Sequence, residues 1–203
     1  MKKNRLNLFA VIALVFLIAG CKKETAQQDP TGDNPAKTTV TGNYSQLSRE
    51  PEMLGACNSS AYFIVLESRS FIDGNWEWIW SVQNSNPGNG NNGTIQDLSH
   101  WGMQFGSCFV MSAVVSGAFS GDGITWTGFT PSFERDPSQT CMTSPVLKFD
   151  YGTTGNAKSY YKLVLNQEYQ PTEVPGYYKS GRNTGCCTFN FNGIGCGGGP
   201  VVK

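Results

Sequence analysis

The chain has 203 residues, with 15 Lys and Arg against 15 Asp and Glu, a single histidine and seven cysteines. With charge balanced and no basic stripe, nucleic acid is not expected as a partner. With no C-x-x-C and its one histidine far from the cysteine-rich C-terminus, the cysteines are not expected to form a metal site; no cofactor is expected, and a structural calcium is left open. Glycine is abundant, aromatics are frequent and charge is sparse, which favours short strands joined by tight turns over helices.

In chain order, the first element is a short apolar segment. Lys2, Lys3 and Arg5 precede Leu6 to Ile18, a run interrupted only by Asn7, and Ile18-Ala19-Gly20-Cys21 closes it. A membrane-spanning helix needs about 20 apolar residues and a signal h-region only about 7–15. Residues 1–20 therefore read as a secretory signal. Small residues before a cysteine resemble the signal of bacterial lipoproteins, which implies a lipid on Cys21 and residence in the cell envelope, at the outer membrane, with the membrane as partner. Removing residues 1–20 leaves 12 Lys and Arg against 15 Asp and Glu. Residues 21–50 are polar and carry Pro30, Gly32 and Pro35, so they cannot bury enough surface to offset ordering entropy. They read as a flexible tether. At about 5–6 Å × √n, it sets the domain roughly 30 Å from the lipid.

Residues 51–203 read as the domain. Ala61–Leu66 and Trp76–Val82 have strand character, and Asp73-Gly74 between them signals a hairpin. Asn84–Gly93 is loop by composition. Thr94–Phe105 and Cys108–Ala118 are further strands, and Gly121-Asp122-Gly123 turns the chain into a strand over Ile124–Phe129. Pro131–Pro145 is irregular. Val146–Tyr151 and Tyr160–Leu165 are strands, Pro171–Thr184 a loop, and Cys187–Phe191 pairs with the residues after Asn192-Gly193 as a last hairpin. About eight short strands without a long 3.6-residue period indicate an all-β, antiparallel β-sandwich.

Six cysteines remain after Cys21: Cys57, Cys108, Cys141, Cys186, Cys187 and Cys196. An even number in an exported chain predicts disulfides. Adjacent Cys186 and Cys187 would close a strained ring, so they are expected to take different partners. The preferred local pair is Cys187–Cys196, across the expected turn at Asn192-Gly193.

Leu98-Ser99-His100-Trp101, then Cys108, then Gly123-Ile124-Thr125-Trp126, with Cys196 near the end, resemble a group of bacterial secreted and surface modules. These modules carry an "ISHW" strand and a "G-I-K-W" strand and end near a cysteine. The resemblance spans Thr94 to Cys196 and departs from the pattern at Leu98, at Thr125 and in the paired Cys186-Cys187. It implies a β-sandwich surface module without a known catalytic role, and it brings over no active-site residue.

Candidate chemistry is limited. Serine-hydrolase chemistry would have to use His100, and no G-x-S-x-G elbow is present. His100 beside Trp101 reads as a packed strand residue. Glycoside hydrolysis needs only two carboxylates, and Glu134 with Asp136 in the irregular segment are the pair to consider. Asp122, Asp136 and Asp150 sit in loops without EF-hand spacing. Trp76, Trp78 and Trp80 alternate, so a strand points all three one way. They form either an inner core face or a platform for stacking on sugar rings. Tyr177 and Tyr178 with Lys179 and Arg182 form a second aromatic cluster, a candidate for binding a glycan or protein. The expected function is non-catalytic binding or adhesion by a lipid-anchored domain. The rivals are an envelope glycan hydrolase and a structural part of a surface assembly.

Overall fold

The computed structural model describes residues 52–53, 62–87, 97–180 and 186–196. The expectations for residues 1–50, including Cys21, and for Cys57 and Arg182 lie outside the described residues. Among the described residues the strands are β1 (Glu52–Met53), β2 (Phe63–Ile72), β3 (Asn75–Gln83), β4 (Leu98–Met103), β5 (Val114–Ser120), β6 (Thr127–Phe129), β7 (Phe133–Glu134), β8 (Val146–Phe149), β9 (Ser159–Leu165), β10 (Gln170–Ser180) and β11 (Cys186–Gly195). They form two antiparallel sheets packed as a sandwich. Sheet A has the order β1-β11-β10-β4-β8-β7 and sheet B the order β2-β3-β9-β5-β6.

The hairpin at Asp73-Gly74 forms as expected. Asp73 has φ 50° and Gly74 φ 81°, the left-handed pair of a type I′ turn whose twist matches its strands. Opposite it, Trp76, Trp78 and Trp80 face inward. Trp78 and Trp80 are fully buried, with ring centroids 5.8 Å apart. The Trp80 indole N–H donates to the Asn192 carbonyl at 2.9 Å. Trp76 is half-buried against the same core, and the Arg69 guanidinium lies 3.8 Å above its ring. Trp101 from sheet A stacks on Phe149 at 4.4 Å. Each such ring removes about 150–250 Å² from water, worth roughly 4–6 kcal/mol by area.

Three elements differ from the sequence reading. Pro171–Thr184 is not a loop where it is described: residues 170–180 form the longest strand, β10. Pro171 and Pro175 are tolerated because β10 pairs with β4 only from Gly176 onward. The Pro175 carbonyl accepts from the Gln104 N–H at 2.9 Å. The N and O of a strand residue point the same way, so the missing N–H of Pro175 falls outside the ladder with β11. Second, Cys186–Gly195 is one continuous strand, not a hairpin, with Asn192 and Gly193 opposite Glu173 and Thr172. Third, Cys196 bonds to Cys108, not to Cys187. Cys186 bonds to Cys141, and Cys187 is also disulfide-bonded, so the adjacent cysteines do take different partners.

Two shorter departures have local causes. The strand expected over Cys108–Ala118 begins only at Val114, after a 3-10 turn over Met111–Ala113. The strand expected over Ile124–Phe129 is confined to Thr127–Phe129. There the Asp122 carboxylate accepts from the backbone N–H of Ile124 at 2.8 Å and of Thr125 at 2.7 Å, withdrawing both from a ladder. Those two bonds hold the Asp122 carboxyl down at about 2.

Candidate functional site

Strand alternation sends Trp101 and Met103 of β4 into the core and His100 and Gly102 to the outer face of sheet A. Tyr177 and Lys179 of β10, with Val146 and Lys148 of β8, reach the same outer face. Residues 135–145 cross it as a strap. The Cys141–Cys186 disulfide fixes the strap to β11. Its Met142 packs with Val146 and Tyr177 in a second small core. Gln139 closes the strap by bonding both the N–H and the C=O of Met142, at 2.7 and 2.6 Å. Gly102 is required beneath it, because a Cβ there would sit 2.5 Å from the Tyr177 ring.

Under the strap lies a buried charge. Asp136 is 2 % exposed, yet both carboxylate oxygens are occupied. Tyr177 OH donates to Oδ2 at 2.6 Å. The Ser138 hydroxyl and N–H donate to Oδ1 at 2.6 and 2.9 Å. His100 Nε2 lies 2.9 Å from Oδ2, and Lys148 Nζ lies 3.5 Å from Oδ1. Burial alone would raise this carboxyl, but the bonds from Ser138 and Tyr177 and the Lys148 charge outweigh it. Asp136 is held well below the ordinary carboxylate range. Burial, then the bond to an ionised Asp136, pushes the Tyr177 phenol far above its usual value. Burial, then Lys148, lowers His100 against the opposing pull of Asp136.

Serine, histidine and aspartate thus meet, but not in the order of a serine-hydrolase triad. That triad sets the serine on Nε2 and the carboxylate on Nδ1–H. Here Ser138 Oγ, at 3.3 Å, and Asp136 share Nε2, and Nδ1 faces Ser99 Oγ at 3.1 Å. The Ser138 hydroxyl is also within bonding distance of Asp136 itself. The group is a hydrogen-bonded anchor for the strap, and His100 is the packed strand residue the sequence suggested.

The sign of both shifts gives a pH prediction. Unfolded, Asp136 titrates near about 3.9 and His100 near about 6.5. Both are lower when folded, so the unfolded chain binds more protons in acid and stability falls with pH. The first loss should begin below about pH 6.5 from His100 and a steeper one below about pH 4 from Asp136. Urea midpoints measured against pH check this. His100→Gln should remove the first step and Asp136→Asn the second, and a midpoint unchanged between neutral and mildly acid pH would contradict the assignment.

Beside this anchor, where the chain crosses from β6 in sheet B to β7 in sheet A, lies an open cleft of about 380 Å³. Phe129, Thr130, Ser132, Glu134, Asp136, Pro137, Lys148, Asp150 and Tyr151 line it. Tyr151 is fixed by stacking on Phe119 at 3.6 Å, and its carbonyl accepts from Tyr161 OH at 2.6 Å. Lys148 bridges Asp136 and Asp150, the latter at 2.7 Å. The Glu134 side chain has no hydrogen bond or ion pair among the described residues, although its backbone pairs with Val146 of β8. The cleft offers rings, hydroxyls and charged groups within one small concavity, in the size range of small-ligand sites.

The other sequence candidates fall elsewhere. Trp78 and Trp80 are fully buried and have no free face for stacking, and Trp76 is half-buried beneath Arg69. Tyr177 and Tyr178 lie in β10 and are fully buried, which corrects the expectation of a tyrosine-bearing loop. Tyr177 anchors the strap and Tyr178 joins the core. Arg182 is outside the described residues. Glu134 and Asp136, singled out as a pair of carboxylates, do line one cleft. Phe129, Lys148, Asp150 and Tyr151 as partners in it were missed as a group, since Phe129 comes from β6 and the other three from β8 and the residues just beyond it. Asp122 spends its carboxylate on its own turn. Among the described residues no group of three or more His, Cys, Asp or Glu side chains is placed to hold a metal ion.

No protein-family model matches this chain, and no curated protein matches it either.

Proposed function

We propose that this chain is a lipid-anchored cell-envelope protein whose β-sandwich domain binds a glycan without transforming it. The observation that carries the reading is the cleft at Phe129, Ser132, Glu134, Lys148, Asp150 and Tyr151. A sugar presents flat C–H faces and a rim of hydroxyls, and a site of aromatic walls and polar groups complements both. Binding is favoured over hydrolysis by the burial of Asp136. Glycoside hydrolysis needs two carboxyls that reach the scissile bond, and Asp136, one of the pair here, is buried with both oxygens occupied by Tyr177 and Ser138. The envelope location rests on the signal-like residues 1–20, on Cys21, and on paired cysteines that suit an oxidising compartment. The resemblance of Leu98–Trp101 and Gly123–Trp126 to bacterial surface modules points the same way.

Two measurements test this. Cys21→Ser should move the protein from the membrane to the soluble fraction, and unchanged partitioning removes the anchor. Calorimetric titration of the mature chain with neutral and charged oligosaccharides should give saturable binding. Ser132→Trp, which fills the cleft from an exposed position, should abolish that binding while leaving the thermal midpoint near the parent's. Absence of binding across the panel, or binding untouched by Ser132→Trp, overturns the assignment of the cleft.

A further inference from the structure

We infer that the cleft selects glycans bearing free amino groups, so that its ligand is an amino sugar polymer in the ammonium form; this rests on the glycan reading above. The lining is unbalanced in charge. Glu134, Asp136 and Asp150 face one cation, Lys148. Lys148, shared between Asp136 and Asp150, offsets one of these three negative charges, and the lining keeps an excess of two. Asp136 is spent on Tyr177, Ser138 and His100. One carboxylate is without a partner, and a second, Asp150, is accessible although paired with Lys148 at 2.7 Å. The Glu134 side chain is exposed and makes no hydrogen bond or ion pair among the described residues. Asp150 has a side chain 65 % exposed.

Both stand beside aromatic residues, Phe129 and Tyr151, in one concavity. Low-dielectric walls around like charges focus the field and concentrate counter-charged ligands. An aromatic face adds attraction for a cation. A neutral sugar can use the rings and hydroxyls of this cleft but not its excess negative charge. An acidic sugar would be repelled by it. An amino sugar uses all three features, and at Glu134 its cationic group displaces no existing ion pair. The buried anchor supports this arrangement from behind: the bonds to Asp136 fix where Lys148 sits, which keeps Lys148 from swinging across to Glu134.

The experiment is calorimetric titration of the mature chain at about pH 6, where an alkylammonium is charged. The probes are glucosamine oligomers, N-acetylglucosamine oligomers of the same length, and the neutral glucose oligomers. Glucosamine oligomers should bind about tenfold more tightly than the other two, with the preference shrinking as salt is raised. In Glu134→Gln with Asp150→Asn the preference should fall to parity, while the thermal midpoint stays near the parent's because both side chains are exposed. Equal affinity for all three probes in the parent overturns the inference and leaves the glycan reading standing. A preference that survives the double substitution overturns its placement in this cleft. No binding of any probe removes both.

Discussion

Trp78→Ala should cost about 3–5 kcal/mol, the largest single-site loss expected in this protein. Trp78 is fully buried in β3, the second of the five strands of sheet B. Its neighbours are held by the hairpin and by pairing with Leu163 of β9, so the space left by an indole cannot close by collapse. The lost ring contacts Trp80 and carries the more distant of two contacts with Arg69, at 5.4 Å. The urea midpoint of the variant beside its parent checks the figure. A midpoint within experimental error of the parent's would mean the ring is not packed as described, and would return the Trp76–Trp80 row to candidacy as a ligand platform.

Loss of the Cys108–Cys196 bond, by Cys108→Ser with Cys196→Ser, should cost about 2–5 kcal/mol. The bond closes a segment of 88 residues, and in the chain-entropy account a long loop gains most from closure. Changing both cysteines avoids leaving a free thiol to exchange with the other bridges. The Cys108 end also supports a ring cluster, with Phe105 and Phe109 stacked at 3.7 Å and Phe109 against Tyr169 at 5.2 Å. Thermal and urea unfolding under non-reducing conditions should show an earlier midpoint. An unchanged midpoint would make the bridge neutral to folding.

The parts of the fold legible in the sequence are those whose signal is local. Asp73-Gly74 between two apolar runs announces its hairpin because the turn needs two left-handed residues in a row. Alternating Trp76, Trp78 and Trp80 announce an inner face by the same logic of period two. What could not be read locally was decided by strand partners. Pro171, Pro175 and Gly176 look like loop residues, and become strand only because β11 runs alongside and β4 arrives after the prolines. Gly193 resembles a turn glycine, yet its role is clearance, since a Cβ there would collide with the Val174 side chain. The misassigned Cys187–Cys196 pair followed from that imagined turn. The site was half legible. Glu134 and Asp136 were noticed in an irregular segment, but nothing local ties Asp136 to His100 or to Tyr177. Those contacts exist because the strap crosses three strands that are distant along the chain.

The covalent fixing of β11 has a consequence for how copies of this protein behave when concentrated together. β11 lies next to β1, which covers only Asn190 and Phe189, so most of one side of a long strand has no neighbour in the sheet among the described residues. A strand so placed is a ready donor for exchange between molecules, in which one copy's strand inserts into another's sheet. Here Cys186 and Cys187 at its start and Cys196 just beyond its end are each disulfide-bonded. The strand cannot leave its own sheet from either end without reduction. At high concentration, such molecules are protected from swapping into one another by their disulfides, and reducing conditions should therefore promote their self-association before they promote global unfolding.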